Sequence, residues 1–339
     1  MTQPTVSPPA ATALAPFVGA VARGPGRGRQ LSREEAAEAL RLILDGSAAP
    51  EAAGALLMVM RYRGEGPSEI AGFADALASG ADWRRAAPDL DWPSYAAGRT
   101  RGLPWFLLAA KLVAGAGHRV ALHGWNAHRV EIRDALPGLG IPVAESGAAL
   151  ASALDAASIA YVPLEAWSPG GHKLIRLREV FGLRSCINTV LRVANPFGAG
   201  AQVQGVFHPS YRGLQTDTGA LLGQRNLMIL KGAGGEFERN PSKEIELFGL
   251  LDGAEVDLTA QALRDETRRL ADPGGRPGDL QRLWRGESDD AFATALVTGT
   301  AALALLALGA APGLARAEAL AEALWQARDR DALPAGAAA

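Results

Sequence analysis

LSREEAAEALRLILDGSAAPEAAGALLMVMRYRGEGPSEIAGFADALASG, residues 31–80, reads as three short helices in succession. Ser32 and Glu35 have the S-x-x-E spacing of a capping box, in which each side chain satisfies a backbone N–H of the first turn. Leu40, Ile43 and Leu44 then recur on one face, and Gly46 closes the helix. Pro50 stands near the start of the second helix and Gly64 after its end. Pro67 and Ser68 open the third helix, which stops at Gly80. Tight loops between short helices imply a small helical domain.

Downstream the rhythm changes. LPWFLLAAKLVAGAG (103–117) has the length and apolar content of a helix, and HRVALHG (118–124) reads as a strand ending in a glycine turn. Further strands are expected at GIPVAE (140–145), IAYVPL (159–164), RSCINTV (184–190), QVQGVFH (202–208) and NLMILKG (226–232), separated by helix-length segments. Residues 289–328 read as a long helical stretch broken near Pro312. The fold class expected is therefore α/β, a small N-terminal helical domain plus a large α/β domain with a mostly parallel central sheet covered by helices. The expected divisions are a disordered tail at 1–16, a helical domain at 17–82, an α/β domain at 83–330 and a flexible tail at 331–339.

Composition narrows the function classes. With 339 residues, 48% hydrophobic and 21% charged, the chain can bury a full core. A net charge of −2 excludes a uniformly basic nucleic-acid binder while leaving local patches open. Thirty of the 34 cationic residues are arginine, the residue that grips phosphate in a fork; a GC-rich genome would favour the same excess. A lone Cys186 rules out an internal disulfide and a cysteine zinc site. MTQPTVSPPA lacks the basic start and apolar run of a signal peptide, so the expected location is cytoplasmic. Ala291–Leu308 carries no charge, but its threonines and alanines read as a buried helix, and no membrane association is expected.

Residues 31–80, with SREEA and MVMRYRGEGPSEIAGFADAL, resemble the N-terminal helical domain of the anthranilate phosphoribosyltransferase family, glycosyltransferase family 3. ALHGWN (121–126) is similar to the family's His-Gly-Asn turn, LREVFGLRSCINTV (177–190) to its arginine-containing helix and following strand, and Asn195-Pro196 to its Asn-Pro. The matches run in order over residues 17–330, and the helical domain implies a homodimer. The chain departs from the family before Pro104. A Gly-Thr-Gly-Gly-Asp-Gly loop should wrap the pyrophosphate of the donor there, but YAAGRTRGLPWF (95–106) stands in its place. Arg99 and Arg101 sit where glycine would admit phosphate, and Trp105–Leu108 replace a polar run that contacts the donor. WPSYAAG (92–98) and LPWFLLAA (103–110) resemble phrases of a divergent, nucleic-acid-binding paralogue group of the family.

Several residues could carry chemistry. Arg99 and Arg101, before a helix that Pro104 can open, would suit an anion or would be solvated arginines of a loop. His123, Gly124 and Asn126 sit at a strand end, where α/β sheets bind ligands, and the adjacent Trp125 could stack a ring. Asn188 joins them as a pocket residue through the resemblance. Lys173, Arg176, Arg178, Arg184 and Arg192 form a cation run in which Glu179 is the only nearby acid. The resemblance gives Arg178 the place of the arginine that binds the acceptor carboxylate. Glu236 and Glu238 fall where the family holds magnesium with an Asp-Glu pair, with Phe237 at the Asp position; two carboxylates could hold a hydrated magnesium ion, but without a donor-binding loop the reading favoured is surface carboxylates. The primary expectation is a homodimer that binds nucleic acid without sequence preference through Arg99, Arg101, Lys173, Arg176, Arg178, Arg184 and Arg192. The alternative is a magnesium-dependent transfer of phosphoribose from phosphoribosyl pyrophosphate to an aromatic or heterocyclic acceptor, with a phosphorylated small molecule as ligand.

Overall fold

The computed structural model describes residues 12–24, 26–78, 80–95, 102–125, 131–266, 268, 270, 275, 276 and 278–333. The first helices are α1 (Ala15–Ala22), α2 (Arg33–Leu44), α3 (Pro50–Arg63), α4 (Pro67–Leu77) and α5 (Ala81–Arg84). There follow β1 (Leu90–Ser94), α6 (Phe106–Gly115), β2 (Val120–Gly124), α7 (Glu131–Gly138), α8 (Gly147–Ala157) and β3 (Ile159–Pro163). Next come α9 (Leu164–Trp167), α10 (Pro169–Arg176), α11 (Arg178–Phe181), α12 (Ile187–Val193), β4 (Ala201–Val206) and α13 (Tyr211–Leu221). The chain ends with β5 (Asn226–Lys231), β6 (Ile245–Leu251), β7 (Ala254–Ala260), α14 (Asp279–Arg285), α15 (Ala291–Ala307) and α16 (Leu314–Ala327). The described residues form two compact units, one drawn from 1–78 and 168–194 and the other from 79–167 and 195–339. Residues 168–194, which the sequence places within the α/β segment, thus pack with the helices.

In the helical unit the capping box forms as its spacing requires. Ser32 Oγ accepts the Glu35 N–H at 3.2 Å and Glu35 Oε2 accepts the Ser32 N–H at 2.9 Å. Glu69 does comparable work at the head of α4, fully buried. Its Oε2 accepts the Gly66 N–H at 2.9 Å, its Oε1 accepts the Leu31 N–H at 2.8 Å, and Arg63 pairs with it. The α2–α4 crossing depends on Gly72, where a Cβ would lie 2.1 Å from the Arg33 carbonyl oxygen. Of RSCINTV, expected as a strand, Ile187–Val190 are helical in α12. All of its residues from Ser185 to Val190 are buried, so the apolar run carries no alternation that would separate period 2 from period 3.6. Burial at the N-terminal side of α12 pushes the Cys186 thiol well above its ordinary pKa.

The second unit is built on one sheet of seven strands in the order β3-β2-β1-β4-β5-β6-β7. The first five are parallel; β6 and β7 are antiparallel. Expected strands at 118–124, 159–164, 202–208 and 226–232 are β2, β3, β4 and β5. GIPVAE makes only a single bridge, Val143 to Tyr161, with Pro142 unable to donate a ladder bond. Three strands escaped the sequence reading. β1 contains Asp91 and Pro93, and β6 and β7 form a hairpin turning on Asp252 and Gly253, whose φ values of 56° and 84° are those of a type I′ turn. The core lies between this sheet and α15, which packs on α6, α16, β4 and β5 and is buried along nearly its whole length. Among the described residues no helix is long and apolar enough to cross a membrane.

Gly72→Ala should wedge α2 from α4 and cost about 1–3 kcal/mol in urea unfolding. Cys186, held as a neutral thiol, should stay unreactive toward a disulfide reagent at pH 8 in the native protein and react at once after unfolding, a difference read by absorbance.

Candidate functional site

In a parallel α/β sheet, ligands favour the crevice beyond the carboxyl ends of the strands where the strand order reverses. Here the reversal lies between β1 and β4, which pair through Leu90 with Ala201 and Asp91 with Gln202. A buried polar cluster occupies that place. Gln202 Nε2 donates to Asp91 Oδ2 at 2.6 Å, and Gln204 Nε2 donates to Gln202 Oε1 at 2.7 Å. His123 Nε2 lies 3.3 Å from Asp91 Oδ2, and His123 Nδ1 lies 2.8 Å from the Tyr95 hydroxyl. The Asp91 carboxylate can accept from Nε2, and the Tyr95 hydroxyl can donate to Nδ1. Trp167 and Phe197 meet the imidazole edge-on, with centroids at 5.6 and 5.7 Å. Both ring nitrogens are therefore engaged internally, and the ring braces the end of β2.

The second half of the site follows β5. Gly232 and Gly205 let the turn at Glu236 lie directly on β5 and β4, since a Cβ on either would fall 1.6 or 2.2 Å from the Glu236 backbone. Glu236 Oε1 accepts the Ser94 hydroxyl at 3.0 Å, and Glu238 Oε1 accepts the Phe106 N–H, the first of α6, at 3.0 Å. Phe237 between them is core, edge-on to Trp92 at 5.5 Å. Both acids are fully buried, which corrects the expectation of surface carboxylates. No described residue preceding α6 caps it with a side chain, so Glu238 supplies the acceptor for its first N–H. That end of a helix is also where a phosphate would bind. Trp105 to Leu108, in place of a polar run, are buried in the core.

An adjacent Asp-Glu pair is not present: Glu238 accepts a backbone N–H, Glu236 accepts the Ser94 hydroxyl, Phe237 offers no oxygen, and among the described residues no three His, Cys, Asp or Glu side chains converge. One or two carboxylates with water and substrate phosphate are what a magnesium ion needs, so Glu236 and Glu238 are the residues that would hold one.

Residues 22–81 match the model of the glycosyl transferase family, helical bundle domain. The anthranilate phosphoribosyltransferase of Moorella thermoacetica is 32% identical over 321 residues, covering 87% of this chain and 90% of that protein. That of Methylobacterium radiotolerans is 30% identical over 322 residues, covering 92% and 90%. The chain belongs to the anthranilate phosphoribosyltransferase family. The solved family structure from Thermus thermophilus superposes with a TM-score of 0.71 at 27% identity, over 88% of this chain and 92% of that one. The Saccharomyces cerevisiae anthranilate phosphoribosyltransferase, solved in complex with PRPP (phosphoribosyl pyrophosphate) and Mg, shares the fold with a TM-score of 0.73 at 15% identity, over 93% and 94%.

Within this family member the expected site residues are dispersed. Arg99, Arg101 and Asn126 lie outside the described residues. His123 and Gly124 end β2 in the α/β unit, whereas Asn188 is buried in α12 of the helical unit. Lys173 and Arg176 are exposed on α10, and Arg176 pairs with Glu179 at 3.4 Å. Arg178 and Arg184 are half-buried. Arg192 is buried in α12, so it cannot join Lys173 and Arg176 on an open basic face, and the cation run is not one continuous surface. Asp91, Ser94, Tyr95, Gln202 and Gln204 were missed. The signal in β4 was polar residues at alternate positions, Gln202 and Gln204, inside a segment that must be a core strand.

Glu238→Ala should remove the acceptor of the Phe106 N–H and lower stability by about 1–3 kcal/mol in guanidinium unfolding, with Glu238→Gln recovering most of the loss.

Proposed function

We propose that the protein transfers phosphoribose from phosphoribosyl pyrophosphate to an aromatic or heterocyclic acceptor. The observation that carries this reading is the relationship to anthranilate phosphoribosyltransferases across about nine tenths of the chain, on a sheet whose strand order reverses beside Ser94, His123 and Glu238. Such a transfer depends on orienting two substrates and stabilising a leaving pyrophosphate, so it needs no dedicated base. The engaged nitrogens of His123 accord with a positioning role. The chain sets one condition of its own. Glu238 occupies the N-terminal end of α6, and a pyrophosphate directed there has to displace it.

The capture of that helix end by Glu238 favours a second reading, binding of nucleic-acid phosphates without transfer. It draws on the exposed Lys173 and Arg176 and on the two arginines that replace glycine at positions 99 and 101. A homodimer formed through the helical domain would present each cation twice.

Pyrophosphate release should be measured with phosphoribosyl pyrophosphate, anthranilate and magnesium, beside the anisotropy of a labelled random oligonucleotide across a salt series. Transfer predicts release above the protein-free rate and a changed donor KM in Glu238→Ala. Absence of release, together with oligonucleotide binding whose salt slope falls by about 1 for each of Lys173→Ala and Arg176→Ala, would assign the second reading instead.

A further inference from the structure

A cleft of about 570 Å³ opens at the carboxyl ends of β4 and β5, beside the first turn of α13 and the start of β6. Its size is that of a small-molecule site. Its charged lining is Arg212, Lys231, Lys243, Glu244 and Glu246. Ser94, Glu236 and Glu238 do not line it, so it is distinct from the cluster at the reversal of strand order.

The charges in this cleft are unequally committed. Glu246 is paired with Arg212, whose guanidinium also lies 4.0 Å over the Phe248 ring. Glu244 accepts the Gln261 amide at 2.8 Å. Lys231 and Lys243 are both exposed, and among the described residues neither ammonium makes an ion pair or a hydrogen bond. Glu246 is thus neutralised by Arg212 and Glu244 is held by an amide, while among the described residues the two lysines of the cleft are unpaired, so its charged lining carries three cations against two acids. These are two of only four lysines in a chain that otherwise uses arginine. A lysine is a compact charge on a flexible stem that can close on a phosphate from either side of a cleft.

We infer that this cleft is a binding site for a small phosphate ester of sugar-phosphate size, held between Lys231 and Lys243. The site stands whether or not the protein transfers phosphoribose, because it uses none of the residues on which that reading rests.

The test is titration calorimetry of the full chain with ribose 5-phosphate and, separately, with inorganic phosphate. Wild-type protein should bind ribose 5-phosphate more tightly than phosphate. Lys231→Met and Lys243→Met should each weaken binding about tenfold or more, as loss of a charge-assisted contact implies, and the double variant should abolish it. Arg225→Met, which alters an exposed arginine paired with Asp252 outside the cleft, should bind like wild type. Both lysines are exposed, so unliganded melting temperatures should be unchanged, which separates lost binding from lost folding. No binding of either anion at millimolar concentration, or equal binding by wild type and the double variant, would overturn the site. Equal affinity for the two anions would overturn its assignment to an ester and leave an inorganic phosphate site.

Discussion

The pairing of β1 with β4 is the constraint on which the α/β unit depends. It joins residues 111 positions apart, Asp91 and Gln202, by a side-chain hydrogen bond as well as by backbone register, and it makes the strand order reverse at that line. From that reversal come the crevice, the positions of Ser94 and Gly124 at adjacent strand ends, and the need to satisfy polar side chains in the middle of a core. Asp91, His123, Tyr95, Gln202 and Gln204 meet the need together, each using another as partner. A buried network of this kind holds the strand ends in one arrangement, because breaking any link strands a polar group away from water.

Next to this network, the protein answers the dipole of α6 from within. Relatives with a glycine loop can bring backbone N–H groups to a phosphate; here the Phe106 N–H meets Glu238, and Phe237 and Trp105–Leu108 fill the surroundings with core. A helix end and a buried carboxylate satisfy each other at short range in a low dielectric, which makes the internal anion a strong competitor for an external one. The same carboxylate thus belongs to the architecture and sets the terms on which any phosphate can enter. The cleft at Lys231 and Lys243 has the opposite character, since its two lysines have no internal partner among the described residues while Glu246 is paired with Arg212 and Glu244 is held by the Gln261 amide.

Much of the fold was legible from local signals because its causes are local. The capping box at Ser32 and Glu35, Pro50, Pro67 and the glycines after the helices mark α2, α3 and α4 through interactions within a few residues. Apolar runs marked β2 to β5. Other elements depend on neighbours far away in sequence. β1 pairs with β2 along its whole length but with β4 only at Leu90 and Asp91, so Pro93 is tolerated where the second ladder has ended. Ile187–Val190 are helical and buried throughout, in a unit otherwise made of helices, a condition no short window expresses. Asp252-Gly253 is a hairpin signal in plain view, followed in β7 by Glu255, Asp257 and Thr259 alternating with Val256, Leu258 and Ala260, but preceded in β6 by apolar residues on both faces.

The sequence by itself determined the family, the helical start and the rhythm of a parallel sheet, since each resides in residue identity and order. Only the tertiary structure decided that Glu236 and Glu238 are buried, that Arg192 faces inward, and that His123 has both nitrogens engaged. The physical reason is that burial and hydrogen-bond partnership are properties of a side chain's surroundings, and those surroundings are assembled from strands and helices that the linear chain holds apart.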